Sequence, residues 1–400
     1  MNVLMLSLMY PDDLTDKASR LSRDGLQNQV NAYQRAMVAG IKANLRPGEA
    51  FAVVNAMPVG AFPLRYKSPY IASGEHNGLY ELGCVNLPLI KQRGRERRAL
   101  KVLKTWARQS PDNRTLLIYS LYLPYLRAVA RLKKRYPDMR ASVMVPDLPN
   151  ELGLASYRHG LLKRIEYAMG RKRMALCRAM DGFILLTPPM AQALPIKDKS
   201  LMVMEGLILD DAAAETLSEP DTPMALYTGT LNRELGIGEL IEAFEVMPEC
   251  ELWLCGFGDM NETVKKSAIE HKNIRYLGFV PQEEALRLQA QATLLINPRT
   301  PDGVYTRYSF PSKTLEYMRS GKPVVCYRLE GIPEEYDRYL CYIEGEGPQA
   351  IRHTVRALLS LTPQERREKG ESARRYVLEH KNPRVQGARI VDHLRSLMVR

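Results

Sequence analysis

Two short segments in the second half of the chain, 296–299 and 308–318, combine residue types that could hold a phosphate group. The apolar run 292–296 has the length of a strand and ends in Asn297, while Ser312 is placed to cap a helix that follows a short polar loop. A helix N-terminus offers unpaired backbone N–H groups and a partial positive charge, to which Lys313 and Arg299 add full charges. This pattern predicts a site for a phosphate or a diphosphate.

Glu316 follows Lys313 by one turn of the predicted helix, which ends near Gly321. A carboxylate suits the two hydroxyls of a ribose, so one loop and one helix could hold both the phosphates and the sugar of a nucleotide. The alternative is an ordinary capped helix whose Lys and Glu are simply solvated.

Two further segments place glycines where predicted strands end, which is the edge at which doubly wound sheets bind ligands. Segment 227–233 contains Gly229, which allows close backbone approach, and Arg233, which could donate two hydrogen bonds to a diphosphate. Segment 253–259 contains Gly256 and Phe257, but its Gly-x-Gly is too short for a dinucleotide-binding fingerprint.

The residue types that usually bind metals do not occur at the spacings of a metal site in this sequence. There is no Asp-x-Asp, the six histidines lack ligand spacing, and the six cysteines form no Cys-x-x-Cys pair, which also argues against a disulfide framework. We therefore expect no metal and no cofactor, so that helix dipole, Arg and Lys would neutralise the charge of a diphosphate leaving group.

The block Asn-Pro-Arg…Tyr-Ser-Phe-Pro-Ser-Lys…Glu-Tyr-Met…Gly-Lys-Pro-Val resembles the retaining glycosyltransferases of family four, in particular their bacterial capsule and exopolysaccharide branch. The resemblance covers 226–325 closely and the first half more loosely. It implies the GT-B fold, in which two Rossmann-like α/β domains face a cleft and a C-terminal helix crosses back to the first domain. It also implies transfer of a sugar from a UDP- or GDP-sugar, the co-substrate, to a lipid-linked or polysaccharide acceptor at the cytosolic membrane face.

The resemblance assigns roles to individual residues. Many relatives have two glutamates separated by seven residues. Here the second is Glu316 and the first position is Tyr308, so sugar contacts would come from Tyr305, Tyr308 or the backbone around Ser309 and Phe310. Phe279 and Val280 match the turn that meets the nucleobase, although a structural turn is the alternative. The expected donor-binding residues are Gly229, Arg233, Gly256, Phe257, Phe279, Val280, Asn297, Arg299, Tyr308, Ser309, Phe310, Ser312, Lys313, Thr314 and Glu316.

Catalytic and acceptor residues follow from the same resemblance. Asp147 ends a predicted strand and is expected to contact the donor sugar or the acceptor hydroxyl, with an Asx-turn as the alternative. The expected catalytic residues are Asp147, Lys313, Arg233 and Glu316. The loop at 20–31 resembles the acceptor border, so Arg23, Gly25 and Asn28 are expected to bind the acceptor. Ser120, at the end of another predicted strand, is a further candidate for acceptor binding.

Apolar runs of strand length alternate with helical patterns along almost the whole chain, which predicts parallel sheets with helices on both faces. Strands are expected at 3–7, 51–55, 116–120, 141–145, 182–186, 201–204, 225–228, 251–255, 274–277, 292–296, 323–326 and 340–343. An aperiodic stretch at 205–222 predicts a linker. We expect an acceptor domain at 1–205, a donor domain at 206–382, and a returning helix at 383–400.

The net charge of +12 is confined to the first half, since residues 1–210 carry 32 Lys and Arg against 17 Asp and Glu. Its basic runs are 91–98, 131–135 and 158–178, and the last has an amphipathic pattern that could lie on an anionic bilayer. A solvated helix face is the alternative. Few aromatic residues interrupt these runs, so we expect no nucleic-acid partner.

Compartment follows from the same features. The apolar N-terminus lacks a basic n-region and no run has the length of a membrane span, so a cytoplasmic protein peripheral to the cytosolic membrane face is expected. A nucleotide-sugar 2-epimerase would share the fold and the donor site but need no acceptor. A non-catalytic basic adaptor for membrane or nucleic acid would need no nucleotide.

Overall fold

The computed structural model describes residues 1–88, 90–110, 112–148, 161–209, 217 and 219–399, with backbone only at 161–163, 165, 166, 304 and 305. The chain divides into two compact units. Unit 1 comprises Met1–Leu209 and Pro383–Arg400, and unit 2 comprises Asp210–Asn382.

Among its described residues, unit 1 is built on an eight-stranded sheet in the order β10-β9-β8-β7-β1-β2-β5-β4. Neighbouring strands are parallel except β4 and β5, and strands β3 and β6 pair separately as a small antiparallel sheet. Leu4, Met5 and Leu6 on the central β1 are almost completely buried, as expected when helices cover both faces. The strands are β1 Asn2–Ser7, β2 Ala50–Asn55, β3 Tyr70–Ile71, β4 Gly74–His76, β5 Leu79–Glu81, β6 Cys84–Val85, β7 Arg114–Tyr119, β8 Arg140–Val145, β9 Gly182–Leu185 and β10 Ser200–Val203.

Unit 1 also includes the C-terminal helix, as the resemblance implies. A Cβ on Gly387 would lie 2.1 Å from the carbonyl carbon of Gly40, so the C-terminal helix and the helix that contains Gly40 touch backbone to backbone. Ser142 Oγ and His393 Nε2, both buried, are hydrogen-bonded at 2.9 Å. The helices of this unit are α1 Thr15–Leu21, α2 Asn28–Ala43, α3 Ile90–Gln109, α4 Leu123–Lys133, α5 Leu161–Cys177 and α6 Met190–Ala193, together with α13 Pro383–Ser396.

Within its described residues, unit 2 has a fully parallel six-stranded sheet in the order β13-β12-β11-β14-β15-β16. This is the strand order of a Rossmann sheet, and it reverses between β11 and β14, where such sheets bind ligands. The strands are β11 Met224–Thr228, β12 Glu251–Cys255, β13 Ile274–Gly278, β14 Leu294–Asn297, β15 Val324–Cys326 and β16 Leu340–Tyr342. The helices are α7 Ile237–Glu245, α8 Asn261–Glu270, α9 Gln282–Gln291, α10 Ser312–Arg319, α11 Gly347–Leu359 and α12 Pro363–His380.

The Rossmann-like architecture predicted for both halves is therefore confirmed. The sequence missed α1 and the short strands β3 to β6, because strands of two or three residues are too short to show a period. The apolar pattern of the sequence predicts a helix at 24–43, but α2 begins at Asn28, because residues 22–27 form an irregular approach to it. No helix in the described part of the chain combines the length and apolarity needed to cross a bilayer.

Candidate functional site

The loops that follow β11 and β12 pack backbone to backbone at the carboxyl edge of the unit 2 sheet. Gly256 has a φ of +135°, and a Cβ there would lie 1.8 Å from Gly229 O, so only glycine fits. The Leu231 N–H donates to Phe257 O at 2.9 Å. The close approach predicted at Gly229 is thus a contact with Gly256, and it fixes the shape of this edge.

Helix α10 begins at this edge without a side-chain cap. Pro311 occupies the N-cap position and Ser312 is the first helical residue, so the prediction that Ser312 caps the helix is wrong. Proline takes this position because its fixed φ suits the entry to a helix, but its ring offers no acceptor. The Thr314 N–H donates to Pro311 O at 2.8 Å. Within the described residues, the Ser312 and Lys313 amides have no side-chain acceptor, and an anion is the natural partner for them.

Thr314, predicted to bind the ligand, is fully buried, and its hydroxyl has no partner within the described residues. Phe310, also predicted, is buried against Tyr336 with ring centroids 5.3 Å apart. Both side chains pack the interior of unit 2, which leaves the backbone of the loop, rather than these two side chains, to meet a ligand.

Glu316 is held by two donors through a single oxygen. Its Oε1 accepts from Lys313 Nζ at 2.8 Å and from Gln289 Nε2 at 2.6 Å. Gln289 also donates to Thr228 Oγ1 at 3.1 Å, which links α9 to the end of β11. Within the described residues, Glu316 Oε2 accepts no hydrogen bond. The carboxylate is thus fixed in place, partly exposed, and retains one oxygen for further donors.

Tyr317 ties α10 to the same strand end. Its hydroxyl accepts from the Thr228 N–H at 2.8 Å and donates to Thr228 O at 3.2 Å. Complete burial raises the pKa of Tyr317 well above its usual value, so the hydroxyl stays protonated as a donor. Sequence reasoning missed Gln289 and Tyr317. The apolar spacing of α10 is the signal that could have found Tyr317, which is buried beside Leu315 and Met318, whereas nothing in the sequence singles out Gln289.

Two arginines lie on the loops beside α10. Arg299 follows β14 and its Nη2 donates to Ser309 Oγ at 2.6 Å, which joins the two ends of that loop. Arg233 follows β11 and is exposed; among the described residues, its guanidinium donates no hydrogen bond. A Cβ on Gly236 would lie 2.1 Å from Pro298 O, so the two arginine-bearing loops are in contact. The structure therefore brings positive charge from three chain segments to one edge.

Phe257 and Phe279 expose parallel rings on the neighbouring loops. The rings are 56% and 71% exposed, their planes differ by 2°, and their centroids lie 6.2 Å apart. Exposed aromatic faces side by side suit a flat ligand. Val280, next in the chain, is half-buried. Asn297 at the end of β14 is 8% exposed, and Tyr308 is half-buried with the Arg307 guanidinium 5.9 Å from its ring centroid.

The remaining predicted residues belong to unit 1. Ser120 follows β7 with a φ of +65°, a strained value for a non-glycine residue, and its N–H donates to Met144 O at 3.0 Å. Asp147 is exposed and follows the neighbouring β8. Arg23, Gly25 and Asn28 are exposed between α1 and the start of α2. Strand β1, which leads to them, borders β7, so the three groups follow adjacent strands of one sheet.

No group of three or more His, Cys, Asp and Glu side chains is arranged to hold a metal ion in the parts of the chain that the structure describes. The six cysteines are free thiols. Burial raises the pKa of Cys255, which ends β12, to about 11.

A comparison with known proteins found a match over part of unit 2. Residues 222–360, which contain the whole site of unit 2, match the family model described as glycosyl transferases group 1. This segment is therefore similar to the group 1 glycosyltransferases. The resemblance inferred from the Asn-Pro-Arg and Ser-Phe-Pro-Ser-Lys block is confirmed.

Two curated relatives illustrate the likeness. The O-antigen chain mannosyltransferase B of Escherichia coli is 32% identical over 119 residues, 28% of this chain and 30% of that protein. The amylovoran biosynthesis glycosyltransferase AmsK of Erwinia amylovora is 28% identical over 116 residues, 27% of this chain and 28% of that protein. The chain thus matches less than a third of the length of these curated relatives.

The structural likeness extends further than the sequence likeness. The crystal structure of Anabaena Alr3699/HepE in complex with UDP has a TM-score of 0.62 and covers 99% of this chain and 100% of that chain, at 14% identity. At this identity the comparison establishes the fold, which is GT-B. The segment that matches the group 1 family model corresponds to most of unit 2.

Proposed function

We propose that the chain is a retaining, metal-independent glycosyltransferase that moves a sugar from a UDP- or GDP-sugar to a lipid-linked or polysaccharide acceptor. The observation that carries this proposal is the arrangement at the β11–β14 edge. There the uncapped start of α10, Lys313 and the fixed carboxylate of Glu316 form one unit.

The donor diphosphate would bind at the N-terminus of α10. The amides of Ser312 and Lys313 would donate to phosphate oxygens, and the Lys313 ammonium would add a full charge. Arg233 and Arg299 come from two touching loops and supply planar donors suited to a diphosphate. Such preorganised charge stabilises the departing nucleotide as its bond to the sugar breaks.

The ribose and the base would lie on either side of this phosphate site. Glu316 Oε1 is occupied by Lys313 and Gln289, so Oε2 would accept from the ribose hydroxyls. The exposed rings of Phe257 and Phe279 would contact the base. Lys313 already donates a hydrogen bond to Glu316. On donor binding, its ammonium would therefore donate to the carboxylate and to a phosphate oxygen at the same time.

Unit 1 would supply the acceptor site. Asp147 is our candidate for a contact with the transferred sugar or the acceptor hydroxyl, and Arg23, Gly25, Asn28 and Ser120 for acceptor binding. In the front-face mechanism that we favour, the departing phosphate takes up the proton of the acceptor hydroxyl. No separate enzymic base is then required.

The relatives support a saccharide acceptor. An O-antigen chain mannosyltransferase and an amylovoran biosynthesis glycosyltransferase both align to the donor-side segment, and the UDP complex of a protein with the same fold supports a nucleotide donor. We extend their chemistry to this chain, and place it at the cytosolic membrane face, as part of the proposal.

A thermal-shift screen of the purified chain against UDP, GDP, ADP and their sugar conjugates, with and without EDTA, tests the donor site. We expect one diphosphate to raise the melting temperature, the shift to survive EDTA, and Lys313→Ala or Glu316→Ala to abolish it. Lys265→Ala, an exposed lysine paired with Glu262 on α8, is the matched control and should keep the shift.

Two results would overturn the proposal in different ways. Full nucleotide binding and turnover in Lys313→Ala or Glu316→Ala would refute the donor-site assignment. Conversion of the nucleotide sugar to an epimer without any acceptor would replace transfer by epimerisation, while leaving the donor site in place.

A further inference from the structure

Unit 1 carries a basic surface on α3 that the proposed donor site does not use. Arg93, Arg97, Lys101, Lys104 and Arg108 are all exposed. At 100° per residue, these five positions and Ile90 fall within a sector about 80° wide along about 27 Å of helix. We call the five cations the basic stripe.

Buried contacts on the opposite side of α3 fix this orientation. Lys91 is 7% exposed and its Nζ donates to Val59 O and Gly60 O. Arg95 is 2% exposed and donates to Met57 O at 2.5 Å and to the Tyr122 hydroxyl at 3.1 Å. Since rotating the helix would remove both buried cations from their acceptors, the basic stripe must face outward.

The positive charge of the basic stripe is not compensated along the helix. The only carboxylate of α3 is Glu96, which is 6% exposed and pairs with Arg131 at 2.6 Å and Arg127 at 3.4 Å on α4. Helix α5, which packs on α4, exposes Arg171 and Lys172 as well. Among the side chains that the structure describes, the exposed charges on these neighbouring helices are therefore all positive.

Four large apolar side chains are exposed in the segments that precede α3 and at its first residue. They are Leu64, Tyr70, Val85 and Ile90, at 79%, 53%, 43% and 53% exposure, and we call them the apolar tip. Tyr70 and Val85 are directly opposed in the β3–β6 pair, so their side chains share one face.

A buried asparagine holds the segments that carry the apolar tip. Asn86 follows Val85, is fully buried, and donates through Nδ2 to Gly60 O at 3.0 Å and Ser68 O at 3.2 Å. Its backbone O accepts from the Phe62 N–H at 2.9 Å, two residues before Leu64. The exposure of the tip is therefore built into the fold of this region.

We propose that the basic stripe and the apolar tip together dock unit 1 on an anionic lipid bilayer. The tip enters the headgroup region, and the stripe lies along the membrane plane against lipid phosphates. Apolar groups beside a one-signed cationic helix face are the signature of an interfacial membrane surface. A single-strand nucleic-acid surface would instead interleave aromatic rings with the cations, and the stripe has none.

This inference goes beyond the proposed sugar transfer and does not depend on it. It would explain how a chain without a membrane-spanning helix in its described part reaches a lipid-linked acceptor. It also places the membrane contact on α3, whereas the sequence pattern favoured the 158–178 segment. Residues 158–160 of that segment lie outside the described part of the chain.

Vesicle co-sedimentation of the full chain, without nucleotide, tests the docking surface. We expect binding to vesicles containing phosphatidylglycerol and none to phosphatidylcholine alone. Neutralising four stripe cations should weaken binding by about a hundredfold or more, since each is worth about fivefold. The variant is Arg97→Gln, Lys101→Gln, Lys104→Gln and Arg108→Gln.

The matched control removes the same charge from exposed positions of unit 2, and it should bind as the wild type does. It carries Lys265→Gln, Lys266→Gln, Arg367→Gln and Lys369→Gln. A variant of the apolar tip, Val85→Ser with Ile90→Ser, should still bind the vesicles at low salt but be released at high salt. Salt screens the attraction of the basic stripe, so at high salt the wild type stays bound through its apolar tip.

Three results would overturn the inference. They are no binding of the wild type to anionic vesicles, equal losses in the stripe and control variants, or tighter binding to single-stranded RNA that the stripe variant abolishes. Circular dichroism and the nucleotide-induced thermal shift show whether the variants are folded. Because the vesicle assay uses no nucleotide, its failure is distinguishable from failure of the donor site.

Discussion

Replacing Gln289 by leucine should separate the stability of unit 2 from its donor affinity. Gln289 is fully buried on α9, and its Nε2 donates to Glu316 Oε1 at 2.6 Å and to Thr228 Oγ1 at 3.1 Å. Its own Oε1 is buried without a partner among the described residues. Leucine has a similar volume and removes all of these polar atoms.

Gln289→Leu has two effects on the free energy of unfolding, the loss of two hydrogen bonds and the removal of an unpaired buried oxygen. The two effects have similar size and opposite sign. Losing the bond to the charged Glu316 costs about 1.5–3 kcal/mol and the bond to Thr228 about 0.5–1.5 kcal/mol. Removing the unpaired Oε1 returns about 1–3 kcal/mol, and apolar burial adds to this. We expect stability to change by no more than about 1 kcal/mol. Donor affinity should fall about tenfold, since Glu316 loses one of the two bonds that fix it.

Urea denaturation measures the stability, and calorimetric titration with the nucleoside diphosphate found in the thermal-shift screen measures the affinity. Gln291→Leu is the control, because that side chain lies on the same helix and contacts Arg287. Unchanged affinity in Gln289→Leu, together with a large loss of stability, would refute the idea that Gln289 orients Glu316.

Three further outcomes follow from the backbone contacts and the buried charges. Gly256→Ala should lower the free energy of unfolding by at least about 2 kcal/mol in denaturant melts, because its φ is +135° and the new Cβ would meet Gly229 O at 1.8 Å. Gly387→Ala should lower the melting temperature of unit 1, where the Cβ would lie 2.1 Å from the Gly40 carbonyl carbon; an unchanged temperature would contradict the α2–α13 contact. Burial raises the pKa of Glu81 from 4.5 to about 7, so the folded state holds an extra proton and stability falls as pH rises between these values; Glu81→Gln should flatten this dependence in melts recorded across that range.

The alternation of apolar runs was enough to predict both sheets. Strand β11 was expected at 225–228 and found at Met224–Thr228, and β14 was expected at 292–296 and found at Leu294–Asn297. Long buried parallel strands carry this signal in their own residues. The small β3–β6 sheet was missed because its strands have two residues each and depend on distant partners.

The charged residues and glycines of the site could be predicted from the sequence. The residues that join the site through long-range contacts could not. Lys313 and Glu316 were identified from their place in the first turns of one helix, and the structure pairs them. Gln289, 27 residues from Glu316 in sequence, carries no signal of its own role. The N-cap was assigned to Ser312 by residue preference, but the backbone starts the helix one residue after Pro311.

A crystal structure with the bound nucleoside diphosphate is the most direct test of the central claim. We predict phosphate oxygens within hydrogen-bond distance of the Ser312 and Lys313 amides and of Lys313 Nζ, with the ribose hydroxyls on Glu316 Oε2. A nucleotide bound in unit 1, or bound in unit 2 away from the start of α10, would contradict it.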